Sequence, residues 1–115
     1  MDVTRFSEAR RYDARGHFDM AGLMLQGGGV SKTSGVLVSL SYFLPGGGAE
    51  RSASATEKIY VVLDGAVTIT TDTGEYCLGP LDSCHLAPGE ARSIANRGNA
   101  MAHMLVVVCP AGEAS

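Results

Sequence analysis

No tryptophan occurs in this chain of 115 residues, and histidine and cysteine appear only three times each. Charge is thin as well: 9 basic and 12 acidic residues make 18% of the chain and leave a net charge of −3. A disordered chain needs low apolar content and high net charge; with 45% apolar residues, this one has neither. A nucleic-acid partner is not expected either, because its binder carries a basic stripe and the sequence pI here is about 5.5. Long apolar runs are missing. The longest, Met104 to Cys109, falls far short of the ~20 residues that cross a bilayer, so no membrane partner is expected. The opening residues, Met-Asp-Val-Thr-Arg-Phe-Ser-Glu-Ala-Arg-Arg, are too charged for the apolar region of a signal peptide. Cys77, Cys84 and Cys109 form no CxxC pair, and their odd number would leave one thiol over in a secreted domain. Free thiols in a reducing, cytoplasmic setting are the expectation.

What the chain does have is glycine, 15 residues of 115, about twice the typical ~7%. Neither glycine run opens a helix or leads into GK[ST], so neither is a phosphate cradle. They read as turns between strands. Val36, Val38, Leu40, Tyr42 and Leu44 are apolar at period two, and Pro45-Gly46-Gly47-Gly48 is expected to end that strand. Ile59 to Leu63 is a continuous apolar strand, and Asp64-Gly65 is a hairpin signal before Ala66 to Thr71. Tyr76 to Leu78, Ser83 to Leu86, Arg92 to Ala95 and Ala102 to Cys109 complete the set. Turns recur every 8–12 residues and no long 3.6-period segment competes, which predicts an all-β sandwich or barrel. Residues 1–22 are charged and aromatic with weak periodicity. They are expected to form an N-terminal arm, residues 1–30, lying over a barrel edge or crossing to a partner subunit, with the β-domain at 31–115.

Two stretches resemble the cupin family. Pro45 to Gly65, containing Gly48, Glu50, Ser52, Ser54, Lys58 and the closing Gly65, is similar to the first cupin motif: a glycine, a His-x-His pair, a glutamate and a final glycine. Leu78 to Asn96 is similar to the second motif, with Asp82 in a turn, a short strand, Pro88-Gly89, and then the spacing Gly-x2-His-x3-Asn carried by Gly89, Arg92 and Asn96. The resemblance covers about residues 36–109. It implies a cupin double-stranded β-helix, a jelly-roll barrel with a pocket at one mouth, and a homodimer.

Family members hold a divalent metal through the two histidines and the glutamate of motif one and the histidine of motif two. Here those positions carry Ser52 and Ser54 (or Arg51 and Ala53), Lys58 and Arg92. Ammonium and guanidinium groups have no lone pair to offer a metal. No metal and no other cofactor is therefore expected. A displaced site would have to draw on His17, His85, His103 and the cysteines. Cys84 and His85, as strand neighbours, point to opposite faces, and using Glu57 would require a register slip.

The resemblance implies that positions 58 and 92 face the barrel interior; strand parity then places Tyr60 and Val62 inside with Lys58, and Ile94 and Asn96 inside with Arg92. A histidine on the last strand faces the site in some small cupins, and His103 resembles it. The expected constellation is thus His103 and Lys58 as catalytic groups, with Arg92, Ser52, Ser54 and Tyr60 binding substrate. Either Glu50, Glu57, Glu90 or backbone carbonyls neutralise the two cations and the pocket is vestigial, or the cations hold a carboxylate or phosphate. The expectation is a metal-independent small cupin that binds a small anionic molecule and acts as an isomerase or lyase. A non-catalytic binding or sensing domain and a metal-dependent cupin with atypical ligands are the alternatives.

Overall fold

The structure, a computed structural model, describes residues 1–33 and 35–110. Position 34 and residues 111–115 of the expected β-domain lie outside the described residues. A short 3-10 turn at Phe6–Glu8 precedes nine strands: β1 (Arg10–Tyr12), β2 (His17–Gln26), β3 (Leu37–Ser52), β4 (Glu57–Asp64), β5 (Val67–Thr71), β6 (Gly74–Leu78), β7 (Ser83–Leu86), β8 (Arg92–Ala95) and β9 (Ala102–Cys109). They hydrogen-bond in the order β6-β5-β8-β3-β9-β4-β7, with β2 beside β3 and β1 beside β2. Every pairing is antiparallel, and the sheet curls into a nearly closed barrel, the cupin jelly roll. No helix among the described residues is long and apolar enough to cross a membrane.

Two expectations about turns are corrected. Pro45 to Gly48 does not end a strand: β3 runs straight through it to Ser52. Its first half pairs β9 from Leu37 to Phe43 and its second half pairs β8 at Gly48 and Ala49. The strand therefore turns a barrel corner and serves both halves of the sheet. Glycine permits this because a Cβ at Gly47 would collide with the Asp19 carbonyl, and one at Gly48 with the Ile94 carbonyl. Asp64-Gly65 closes no hairpin either, since β4 pairs β7 and β9 while β5 pairs β6 and β8. Gly65 instead lets the chain cross between sheet halves at φ +74°, with no room for a Cβ beside the Met101 carbonyl.

The core lies between the sheet halves. Phe43, Val62, Val67, Met104 and Ala102 are almost completely buried, with Ile69, Leu86 and Ile94 packed against them. Asn96 is buried among them, and its amide nitrogen donates to the Phe43 and Ala100 carbonyls while its side-chain oxygen accepts from Gly98 N–H. The last position of motif two thus pins the turn into β9. The N-terminal segment adds β1 and β2 to the sheet, and β2 pairs β3 of the same chain from His17↔Ala49 to Gln26↔Val38.

Candidate functional site

The first half of β3 alternates faces, so Leu37, Ser39, Ser41 and Phe43 point inward together. Cross-strand partners share a face, and the register sets Lys58 beside Val108 and Tyr60 beside Val106. Around these side chains lies a cavity of about 230 Å³. Its walls are mainly apolar: Met24, Leu37, Phe43, Ile94, Met104, Val106 and Val108. The polar groups come from four places. Lys58 and Tyr60 stand on β4, Arg92 on β8, and Ser39 and Ser41 on β3, while the N-terminal segment adds Tyr12 and His17. Among the described residues, no aspartate or glutamate lines the cavity.

Arg92 is only 4% exposed. Its Nε donates to Tyr60 Oη at 2.9 Å, and its Nη1 donates to Ser52 Oγ at 2.9 Å and to the Glu50 carbonyl at 3.2 Å. Nη2 makes no hydrogen bond among the described residues, and no buried side-chain nitrogen or oxygen there is left without a partner, so Nη2 opens onto free space. None of the carboxylates expected to neutralise the cations makes an ion pair with Lys58 or Arg92 among the described residues. Glu57 pairs His85 at 2.8 Å on the outside, Glu90 accepts from Ala87 N–H, and Glu50 reaches Arg92 through its backbone only. A side pocket of about 10 Å³, room for one water-sized group, adjoins the cavity and shares Lys58 and Arg92 with it. Ser52, Ser54, Thr56 and Glu90 line it, and Ser54 Oγ bonds Thr56 Oγ1 rather than facing the main cavity.

Burial sets the protonation states. It pushes the Lys58 amine below the ordinary lysine range, and the Arg92 charge pushes the same way. It raises the Tyr60 phenol, against the opposing effect of Arg92. It also lowers the His17 imidazole; the Arg15 carbonyl opposes that shift, while Arg92 and Lys58 add to it. His17 Nδ1 lies 2.9 Å from the Arg15 carbonyl oxygen. A carbonyl only accepts, so Nδ1 of the neutral ring carries the proton and Nε2 holds the lone pair.

His103 is not in this cavity. Alternation along β9 turns Met104, Val106 and Val108 inward and His103 outward. Its ring meets Tyr42 edge-on at 4.7 Å, and Nδ1 lies 3.6 Å from Asp64 Oδ2. The structure brings Lys58, Arg92, Tyr60 and Ser52 together and leaves His103 outside; the imidazole that lines the cavity is that of His17.

The architecture is that of a small jelly-roll barrel enclosing a cation-bearing cavity that no carboxylate lines among the described residues. Residues 39–108 match the cupin domain family, and the chain belongs to it. It is 46% identical to the beta-D-galactosidase Rv1717 of Mycobacterium tuberculosis over 108 residues, 94% of this chain and 93% of that protein. Among solved structures, it resembles the polyketide cyclase RemF of Streptomyces resistomycificus, with TM-score 0.84, 16% identity, and coverage of 100% of this chain and 82% of that one. It also resembles a cupin sugar phosphate isomerase from Silicibacter pomeroyi, with TM-score 0.77, 23% identity, and coverage of 91% and 73%.

The divalent metal that the family implies does not fit these side chains. Two fixed cations occupy ligand positions, and His17 is the one imidazole facing the cavity. No group of three or more His, Cys, Asp or Glu side chains among the described residues is placed to hold an ion.

Proposed function

We propose that the cavity binds a small anionic organic molecule and, without a metal, moves a proton on it as an isomerase or lyase. The observation that carries this reading is the buried Arg92 beside Lys58, both facing an apolar cavity that no carboxylate lines and neither making an ion pair among the described residues. A buried charge left unpaired costs several kcal/mol. A ligand carboxylate or phosphate offsets that cost and meets the free edge of the guanidinium. Tyr60 accepts from Arg92 and keeps its own O–H to donate to a carbonyl oxygen where negative charge develops. His17 Nε2 is the base: it takes a proton from the carbon next to that carbonyl and returns it elsewhere on the ligand. The apolar walls exclude water from the charged intermediate.

Calorimetric titration with pyruvate, succinate and glycerol phosphate tests the binding. At least one of these anions binds, and Arg92→Ala weakens it about tenfold or more, the worth of one charge-assisted hydrogen bond. Unchanged affinity in Arg92→Ala, or no affinity for any anion, overturns the reading. If His17→Ala keeps the affinity and the wild type turns nothing over, the cavity is a sensor.

The 46% identity to a beta-D-galactosidase over nearly the whole chain favours a second reading, a galactoside in the same cavity. Glycoside hydrolysis ordinarily uses two carboxylates, which this cavity lacks. Release of nitrophenol from nitrophenyl β-D-galactoside, abolished by Tyr60→Phe or His17→Ala, would establish it in place of the first.

A further inference from the structure

We propose that Lys58 forms an imine with a small carbonyl compound that carries an anionic group, an α-keto acid being the simplest example. This rests on the reading of the cavity as an anion site and names the substrate class. Lys58 is half-buried on β4 and lines both the cavity and its side pocket. It makes no ion pair and no side-chain hydrogen bond among the described residues; Glu57 pairs His85 on the outside, and Glu90, which lines the side pocket, is held there by Ala87 N–H through one carboxylate oxygen. An amine desolvated in an apolar pocket beside another cation is the arrangement that activates a lysine as a nucleophile. Arg92 stays charged at neutral pH, so it can keep the anionic group while the amine reacts. The lowered proton affinity of Lys58 agrees with this geometry.

The step balances without an oxidant or reductant. The Nζ lone pair attacks the carbonyl carbon, and the π pair moves to the oxygen, which takes a proton. The nitrogen loses a proton, the hydroxyl leaves as water on taking another, and the C=N bond remains. Amine, carbonyl and one proton from solvent thus give the protonated imine and one water, and loss of that proton gives the neutral imine. Protonated at nitrogen, the imine draws electrons from the adjacent C–H bond, whose proton His17 Nε2 then removes.

The chain holds two lysines, and the other, Lys32, is exposed on a loop, so the test has an internal control. The full chain is incubated at neutral pH with pyruvate and sodium cyanoborohydride, and the adduct is located by intact mass and peptide mapping. The expected result is a single reduced adduct at Lys58, at least tenfold over Lys32 and the N-terminal amine. It is absent in Lys58→Arg, which keeps the charge, and is suppressed by lactate, which lacks the carbonyl. Lactate binding to the same protein is measured by calorimetry. Lactate bound with no adduct at Lys58 overturns the imine and leaves the anion site standing. Neither binding nor adduct overturns both. Adduct spread evenly over Lys32 and Lys58 overturns the imine as ordinary amine chemistry.

Discussion

Arg92 Nε donates to Tyr60 Oη at 2.9 Å, so a buried guanidinium is held by a phenol, a hydroxyl and a carbonyl rather than by a carboxylate. That arrangement keeps the positive charge uncompensated. If it is kept for a ligand, it costs the empty barrel stability. Arg92→Met should then raise the denaturation midpoint in anion-free buffer, by on the order of 1 kcal/mol. Ser52 is exposed and finds water, and Tyr60 still has cavity space around its hydroxyl. A clear drop in the urea midpoint would instead make Arg92 a structural clamp.

His17 gives stability a pH dependence of known sign. Its folded pKa lies below the ordinary 6.5, chiefly through burial, with Arg92 and Lys58 disfavouring a third positive charge. Between that lowered value and 6.5 the unfolded chain binds more protons than the folded one. Stability therefore falls as pH drops through this window; above it the contribution vanishes, and below it the penalty is constant. His17→Gln should flatten this part of the melting-temperature profile relative to wild type. Parallel profiles for the two proteins would mean that the ring is not desolvated.

Much of the barrel is legible in the sequence because glycine and period-two alternation mark β-strands directly. The positions of Lys58 and Arg92 are legible too, through the spacing of the two cupin-like motifs, and parity from them carries Tyr60 and Ile94. His17 is not. The register slips between Phe18 and Met20, where Asp19 takes a positive φ of 48°, and this irregularity erases the alternation that would have marked a strand. His103 misleads for a different reason. Both faces of β9 are apolar, one carrying Leu105 and Val107 and the other Met104, Val106 and Val108, so composition cannot choose the inner one. Only the pairing of Val106 with Tyr60 and Val108 with Lys58 decides it. The path of β3 through Pro45–Gly48 is hidden because a glycine run that permits close packing looks the same as one that permits a turn.

His103→Ala should leave anion affinity within twofold of wild type, since the ring stands on the outer face against Tyr42 and Asp64. The edge-on aromatic contact limits the stability loss to about 0.5–1.5 kcal/mol. A large loss of binding or turnover with an intact fold would return His103 to the site, reached through a rearrangement of β9.

Gly48 tests the corner of β3 that brings the Arg92 strand to the cavity. Its neighbour in register is Ala95 on β8, and a Cβ there would run into the Ile94 carbonyl and the Ala95 Cα. Backbone cannot swing aside as a flexible side chain does, so Gly48→Ala must push β8 away from β3. Arg92 rides on β8, and its bonds to Ser52 and the Glu50 carbonyl cross this seam. The substitution should cost about 2 kcal/mol or more in chemical denaturation and weaken anion binding together with stability. Gly35→Ala, with nothing within 4 Å of its Cβ, serves as the comparison and should change neither. If Gly48→Ala is as stable as wild type, the β3–β8 seam is looser than its close backbone approach requires.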